Sequence, residues 1–365
     1  MSYALPLLDE SRLTRSDDAP HANGPHRPRS LQRDRLIDSH GRTIRELRLS
    51  ITDRCNFRCV YCMEPDVRFA PASEILSPEE LERVARVCVS LGVTKIRLTG
   101  GEPTVHPRLE EIISRIASLG VRDIALTTNG SLLTTRSLGA WKSAGLTRIT
   151  ISLDSLLPDR FAKLTRSTST PDDILRGVER AIGAGLSPIK VNAVVMRGFN
   201  EDEVADIAAL ARRFPIDVRF IEAMPLDSAR AWDESRLVSA DEILTCVSRV
   251  WPLVPLDREC DSATSERYAF ADSPSSTTGT VGVIAPVTRA FCGACSRLRI
   301  TADGMVRPCL FSTTEYDLKS ALRSDASDHD LATILLDATW RKQPGHGIRS
   351  SSFKQPNRPM SAIGG

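Results

Sequence analysis

Six short runs of β-branched and apolar residues alternate with amphipathic helical stretches over the first two thirds of the chain. The predicted strands are Glu46–Ser50, Lys95–Thr99, Asp123–Leu126, Arg148–Ile151, Lys190–Val195 and Asp217–Ile221. One predicted helix begins at the capping box Ser77-Pro-Glu-Glu80, and the others lie near residues 109–119, 137–144, 171–184 and 201–214. Repeated β–α units predict an α/β fold in which helices cover a parallel sheet. The periodicity alone does not decide between an open sheet and a partial barrel.

An unusual motif follows most of the predicted strands. These motifs are Asp53–Cys62, Gly100-Gly101-Glu102-Pro103, Thr127-Thr128-Asn129-Gly130, Ser152-Leu153-Asp154 and Glu222-Ala223-Met224-Pro225. The carboxyl ends of parallel strands meet at one edge of the sheet, which is where barrels and open α/β sheets bind ligands. We therefore expect the functional site at that edge.

The sequence divides into three parts. Residues 1–41 are predicted to be a disordered tail, because charges of both signs and several prolines replace a periodic apolar pattern in the first 35 residues. Residues 42–227 carry the β–α units. After residue 228 the pattern changes to one helix near 240–250, a Ser/Thr/Pro-rich loop, short strands near 281–284 and 297–301, and a helix near 330–342. Residues 228–365 are therefore predicted to form a smaller C-terminal lobe.

Composition limits the classes of partner. The net charge is only +2, which argues against a nucleic-acid-binding protein but allows a local basic pocket. No apolar run approaches the ~20 residues of a membrane span, and no secretory signal is evident at the start. We expect a cytoplasmic protein with neither a membrane nor a nucleic-acid partner.

Six of the nine cysteines form two triplets, Cys55/Cys59/Cys62 and Cys292/Cys295/Cys309. Clustered cysteines in a reducing compartment bind metal more often than they form disulfides. A [4Fe–4S] cluster takes four thiolates, so three per cluster would leave one iron open to a small molecule. Two such clusters are predicted. Zinc is the alternative, and it is a more serious one for the second triplet than for the first.

The first triplet, spaced Cys-x3-Cys-x-aromatic-Cys and followed by Gly-Gly-Glu-Pro, resembles the radical S-adenosylmethionine (SAM) superfamily. Four features together resemble its GTP 3′,8-cyclase family, which acts in molybdenum cofactor biosynthesis: Asn56–Pro65, Arg97–Thr104, the second triplet with Arg297-Leu-Arg299, and the terminal Gly364-Gly365. The resemblance covers roughly residues 42–365. It implies a partial (β/α)6 TIM-type barrel and a C-terminal lobe that carries the second cluster.

The resemblance also implies a reaction. SAM would bind the open iron of the first cluster and yield a 5′-deoxyadenosyl radical, which takes the 3′ hydrogen of GTP. The product would be (8S)-3′,8-cyclo-7,8-dihydroguanosine 5′-triphosphate, the substrate of a downstream cyclic pyranopterin monophosphate synthase. An electron donor is also required. The sequence leaves the oligomeric state open, with a homodimer as one option.

The resemblance assigns residues to each ligand. The SAM-binding positions are Tyr61, Gly101, Ser152 and Met224. The GTP-binding positions are Arg48, Arg97, Thr128, Lys190, Arg297 and Arg299. The catalytic set adds Cys55, Cys59, Cys62, Arg297, Arg299 and the tail residues Gly364 and Gly365, which thread into the pocket in the family.

The residues themselves support parts of these assignments. A glycine pair lets a ligand approach the backbone closely because it has no Cβ. Arg48 and Arg97 lie in otherwise apolar strands, where a charged residue is rarely left unpaired. Arg297 and Arg299 are two residues apart in a predicted strand, so both side chains leave the same face.

Two other functions remain open from the sequence. One is a radical SAM enzyme with an auxiliary cluster that modifies a peptide. The other is a non-enzymatic metal-binding scaffold. The succession of motifs at strand ends argues against a scaffold, which needs no such clustering.

Overall fold

A single sheet runs through both predicted lobes. The computed structural model describes the backbone of residues 14–15 and residues 34–227, 230, 232–273 and 278–364. The strands are β1 (Thr14–Arg15), β2 (Glu46–Ser50), β3 (Lys95–Thr99), β4 (Asp123–Thr128), β5 (Arg148–Ser152), β6 (Ile189–Val195), β7 (Asp217–Glu222), β8 (Leu253–Leu256), β9 (Glu266–Phe270), β10 (Thr280–Ile284), β11 (Arg297–Ile300), β12 (Met305–Arg307) and β13 (Glu315–Asp317). All six strands predicted in the first part of the chain are present.

The strand order is β1-β13-β12-β11-β2-β3-β4-β5-β6-β7-β10-β9-β8. Strands β2 to β7 are parallel neighbours, as predicted. The C-terminal lobe does not form a sheet of its own among the described residues. Instead β11 pairs in parallel with β2, and β10 pairs in parallel with β7. The lobe thus extends the sheet at both edges, which the sequence pattern did not predict.

Helices cover the outer face of the sheet, except the last one in the chain, which lies on the inner side where Met360 and Ser361 line a cavity. They are α1 (Pro78–Ser90), α2 (Leu109–Ser118), α3 (Thr135–Ala144), α4 (Pro158–Thr165), α5 (Pro171–Gly183), α6 (Val204–Arg213), α7 (Ala240–Val250), α8 (Lys319–Leu322), α9 (Asp328–Trp340) and α10 (Met360–Ile363), with 3₁₀ turns at 72–74, 103–105, 201–203, 234–236 and 292–294. The predicted capping box of α1 is formed by Ser77 and Glu80. Helix α4 was not predicted, and none of the described helices is long and apolar enough to cross a bilayer.

Side-chain alternation along the strands separates an apolar outer face from a charged inner face. In β2, Leu47 and Leu49 are fully buried in the core, whereas Arg48 faces the other side. The inner face encloses cavities lined both by Arg297 on β11 and by Ile284 on β10, which lie near opposite edges of the sheet. The sheet therefore curves into the expected partial barrel, while its end strands β1 and β8 do not pair with each other.

The folded part of the chain begins before residue 42, within the tail that is predicted to be disordered. Leu36 is fully buried, and its N–H donates to Leu91 O at 3.2 Å. Ile44 N in turn donates to Leu36 O at 2.8 Å, and Asp38 is buried as well. Residues 36–41 are therefore part of the folded body. Residues 1–13 and 16–33 lie outside the described residues.

Candidate active site

All six triplet cysteines line one cavity on the inner face of the sheet. The first triplet follows β2, and the second lies on either side of the β11–β12 hairpin. Because β11 pairs with β2, two triplets separated by about two thirds of the chain reach the same space. All nine cysteines are free thiols.

The first triplet lies in a loop that is fixed by hydrogen bonds from its backbone to the end of α4. Arg58 N and Val60 N donate to Thr165 O and Leu164 O at the end of α4, at 2.8 and 3.0 Å. Burial raises the pKa of the Cys62 thiol to about 12 and that of Cys55 to about 11. A bound cation would therefore be needed to keep these sulfurs as thiolates, as a metal does for its ligands.

The second triplet is braced by a buried cation that the sequence analysis missed. Lys342 Nζ donates to Arg297 O at 2.9 Å and to Pro308 O, the residue before Cys309. Burial raises the pKa of Cys295, but the positive charges of Arg297 and Lys342 outweigh it and lower that pKa to about 7. One side chain thereby joins the two segments that supply Cys295 and Cys309.

A second missed cation supports Cys292. Arg42 Nη1 donates to Cys292 O at 2.8 Å and to Pro344 O at 2.9 Å, and its Nε donates to Asp38. The only sequence signals for Arg42 and Lys342 are their types, because neither lies near the cysteines in the chain.

The arrangement of the sulfurs bears on the choice between zinc and a cluster. Among the described residues, no three His, Cys, Asp or Glu side chains are placed to share one metal ion. A tetrahedral zinc site needs sulfurs that all lie about 2.3 Å from one centre. Each thiolate of a [4Fe–4S] cube binds a different iron, so a triplet that holds a cube does not need to meet this single-ion geometry.

The glycine pair after β3 packs against the loop of the first triplet. A Cβ on Gly100 would lie 2.2 Å from Thr52 O, and one on Gly101 would lie 2.4 Å from Arg54 O. Gly101 N already donates to Thr52 O at 2.8 Å. The group that Gly101 can offer to a ligand is therefore its carbonyl oxygen, an acceptor suited to an amine.

Tyr61, Ser152 and Met224, which the resemblance assigns to SAM, line the same cavity. The Tyr61 hydroxyl donates to Asp154 Oδ2 at 2.6 Å, and Val194 N donates to Asp154 Oδ1 at 2.8 Å. Burial raises the pKa of Asp154 to about 6. Asp154 thus fixes the tyrosine ring, a role that the Ser152-Leu-Asp154 motif marked without assigning it.

The two threonines that end β4 form different hydrogen bonds. Thr128 is buried, its hydroxyl donates to Glu102 Oε1 at 2.6 Å, and the same hydroxyl accepts from Gly130 N at 3.0 Å. Thr127 lines both inner cavities and accepts from Arg97 Nη1 at 3.2 Å. Thr128 lines the first cavity as well, so its assignment to the substrate stays a prediction, and Thr127 is a second candidate beside it.

A second cavity continues from the first along the inner face and is strongly basic. Its cationic lining residues are Arg48, Lys95, Arg97, Arg148, Lys190, Arg219, Arg267 and Arg297. Four of these were predicted as substrate contacts. The other four were missed, although strand alternation places Lys95 on the same face as Arg97.

Two carboxylates, Glu46 and Glu259, share this cavity with the cations. Burial raises the pKa of Glu46, but the charges of Arg48 and Arg97 outweigh it and lower that pKa to about 2. Burial, together with the charges of Arg219 and Arg148, lowers the pKa of Lys190 to about 8. The chamber therefore holds an excess of positive charge that suits a polyanion.

The C-terminal tail enters the first cavity. Arg299 Nη1 donates to Gly364 O at 2.5 Å, and Met360 and Ser361 line the cavity. Gly364 has a φ of +83°, and a Cβ there would lie 2.1 Å from Ser50 Oγ. The structure thus brings the tail to Arg299. Gly365 lies outside the described residues.

Comparison with known proteins agrees with this geometry. The Radical SAM superfamily profile matches residues 49–211, and the Molybdenum Cofactor Synthesis C profile matches residues 216–348. A GTP 3′,8-cyclase from Streptomyces coelicolor is 46% identical over 334 residues, which are 90% of this chain and 96% of that protein. One from Mycolicibacterium smegmatis is 45% identical over 333 residues, which are 90% of this chain and 92% of that protein.

A solved structure shares the fold at low identity. Streptococcus suis SuiB bound to S-adenosylmethionine matches with a TM-score of 0.54 and 15% identity, over 85% of this chain and 69% of that chain. The two cyclases are far more similar to this chain in sequence than SuiB is, so the sequence matches, rather than the shared fold, identify the family. The chain belongs to the GTP 3′,8-cyclase family of the radical SAM superfamily.

Proposed function

We propose that this chain is a GTP 3′,8-cyclase that uses SAM to convert GTP into (8S)-3′,8-cyclo-7,8-dihydroguanosine 5′-triphosphate, the first step of molybdenum cofactor biosynthesis. One observation carries the proposal. Two cysteine triplets open into a single cavity, and that cavity continues into a chamber lined by eight cationic side chains. The first feature suits radical initiation beside a substrate, and the second suits a triphosphate.

Each triplet would hold one [4Fe–4S] cluster through three thiolates. The chemistry supplied there, once the clusters are bound, is one-electron reduction of SAM at the first triplet and coordination of the purine at the second. The chain's own part is to bind, to orient and to exclude water. Lys342 and Arg42 hold the backbone of the second triplet in place for this purpose.

The residues around the first triplet would orient SAM. The carbonyl oxygen of Gly101 accepts from the amino group, since the N–H of Gly101 is already bonded to Thr52 O. Ser152 contacts the ribose or carboxylate, and Met224 packs against the adenine. Tyr61, held by Asp154, fixes the position of the adenine.

The basic chamber would bind the triphosphate. Arg48, Arg97 and Lys190 are buried or half-buried there, where charge-assisted hydrogen bonds to phosphate are strong. Arg297 lines both cavities and therefore lies where the nucleoside joins the phosphates. Thr128, which lines the first cavity, is the proposed hydroxyl contact, and Thr127, which borders both cavities, is a second one.

Arg299 and the tail would close the substrate side of the first cavity. The Arg299 guanidinium is buried and bonded to Gly364 O. The tail therefore helps to exclude water from the place where a carbon radical has to survive.

Partners and location follow from the chemistry. We propose a cytoplasmic enzyme, since nine free cysteines suit a reducing compartment. It would need an electron donor and would pass its product to a cyclic pyranopterin monophosphate synthase. A homodimer remains a proposal to be tested by sedimentation.

An anaerobic assay with GTP, SAM and reductant tests the function. One hydrogen leaves C3′ and one is restored after ring closure, so the product is an isomer of GTP that chromatography separates before mass analysis. We expect about eight irons per chain and formation of both 5′-deoxyadenosine and this isomer. Cys55→Ala is expected to form neither. Unchanged GTP in the presence of full SAM cleavage would refute the proposed substrate.

A further inference from the structure

The segment before the C-terminal glycines is attached to the turn between β11 and β12 by one arginine. Arg358 donates from Nη1 and Nη2 to the two carboxylate oxygens of Asp303, at 2.9 and 2.8 Å. Its Nε lies 2.8 Å from Glu315 Oε1 on β13. All three guanidinium nitrogens of Arg358 thus contact a carboxylate. The paired contacts with Asp303 are the strong bidentate form of an ion pair. Arg358 and Asp303 are both less than one third exposed.

The same hairpin carries the site residues that the tail reaches. Arg299 is on its first strand, β11, and Cys309 comes two residues after its second strand, β12. The tail therefore touches the hairpin at two points, the turn through Arg358 and the first strand through Gly364 O. Between the two points lie Pro359 and the single turn of α10, whose Ile363 is fully buried.

We infer that Arg358 is a positioning residue that latches the root of the tail to the hairpin, so that Gly364 meets Arg299 in the cavity. The inference rests on the proposed function, because the tail matters to turnover only if the cavity performs the cyclisation. Arg358 is not among the cavity-lining residues. It acts through the tail rather than on the substrate.

The tail offers direct probes of its own seating. Ala362 N donates to Pro359 O at 3.0 Å, and Gly364 N donates to Met360 O at 3.1 Å. These amides are protected from hydrogen exchange while the turn is formed and docked, and they lose protection when it leaves the cavity. Exchange at the C-terminus therefore reports the latch without any assay of activity.

The first experiment is hydrogen–deuterium exchange with mass analysis on the full-length holoenzyme. Arg358→Gln is expected to speed exchange of the C-terminal peptide roughly tenfold or more, as for loss of a charged hydrogen bond. Arg349→Gln is the matched control, because Arg349 lies in the same terminal segment but makes an exposed pair with Glu234. If the Arg358→Gln tail exchanges as slowly as wild type, the latch does not exist.

A double-mutant cycle identifies the partner. Asp303→Asn alone should also speed tail exchange, but less than Arg358→Gln does, because the contact of Arg358 with Glu315 is kept. If Asp303 acts on the tail through Arg358, the double variant is no worse than Arg358→Gln alone. Additive effects would contradict the pairing. Asp303→Asn also stands in for Arg358→Gln if the latter lowers the melting temperature of the whole protein.

The second experiment connects the latch to turnover. Arg358→Gln should reduce GTP conversion about tenfold, in proportion to the lost seating, while the Kd for SAM stays at the wild-type value. Arg358→Lys keeps the charge but loses the bidentate geometry, so its rate of GTP conversion should lie between those of Arg358→Gln and the wild type. Faster tail exchange with wild-type turnover would overturn the positioning role. A wild-type enzyme that leaves GTP unchanged would instead refute the proposed function, and the exchange result would still decide the latch.

Discussion

Gly364→Ala is expected to expel the C-terminal tail from the cavity. The added Cβ would lie 2.1 Å from Ser50 Oγ and 2.7 Å from Thr99 Oγ1. Both hydroxyls belong to buried residues at the carboxyl ends of β2 and β3, so relief requires both side chains to rotate within packed surroundings and to break their contact with each other. The backbone φ of +83° is a further obstacle for any residue with a Cβ.

The cost can be estimated in two parts. Placing an L-residue in the left-handed region costs about 1–2 kcal/mol. Overpacking a tight site costs about 1–3 kcal/mol more. Together these amount to roughly 2–5 kcal/mol, and since 1.4 kcal/mol is tenfold in an equilibrium, the ratio of seated to free tail falls by about 30-fold or more. We expect GTP conversion to fall about tenfold or more, with SAM binding retained.

The assay measures GTP conversion and SAM affinity in parallel, and the chain supplies a matched control. Gly347 also has a positive φ, +63°, but the nearest atom to its Cβ position is Ser350 Cβ at 3.8 Å. Gly347→Ala therefore carries the backbone cost without the clash. Ser50→Ala combined with Gly364→Ala removes the shortest contact and should recover part of the lost rate. Equal effects of Gly347→Ala and Gly364→Ala would refute the steric reasoning.

Three further predictions test other parts of the site. Cys309→Ala should spare SAM cleavage but strongly reduce GTP conversion, with about four irons left per chain. Thr128→Val should raise the KM for GTP and also lower the melting temperature, because Glu102 loses a buried donor, whereas Thr127→Val should raise that KM with little change in melting temperature. Lys190 loses its proton above about pH 8 in the free enzyme. The positive form binds phosphate, so the KM for GTP should rise about tenfold from pH 7 to 9 and stay flatter in Lys190→Arg.

Local signals were sufficient for the parallel sheet and for the two triplets. Alternating β–α units gave all six strands β2 to β7, and short cysteine spacings gave the candidate ligands. The face of the sheet on which each side chain lies was harder to predict. Predicting that β4 ended at Leu126 hid the fact that Thr127, not Thr128, shares the inner face with Arg97. One or two residues of strand length therefore decide whether a side chain is assigned to a face of the sheet or to the loop that follows it.

Contacts between distant parts of the chain could not be predicted. Lys342 and Arg42 hold the second triplet through backbone carbonyls, and a carbonyl acceptor leaves no mark in the sequence. The Arg358–Asp303 pair could not be predicted either, since an arginine near a chain end and an aspartate in a turn are both ordinary surface residues. Leu36 was assigned to a disordered tail because one apolar residue forms no periodic pattern.

The position of β11 explains why one cavity can serve both triplets. Without its pairing to β2, the second triplet would lie in a separate lobe, and the distance between the two metal sites would depend on a flexible linker. As a parallel strand of the same sheet, β11 fixes Arg297 and Arg299 in register with Glu46 and Arg48. The ladder hydrogen bonds that stabilise the sheet therefore also set the separation between the two cysteine triplets.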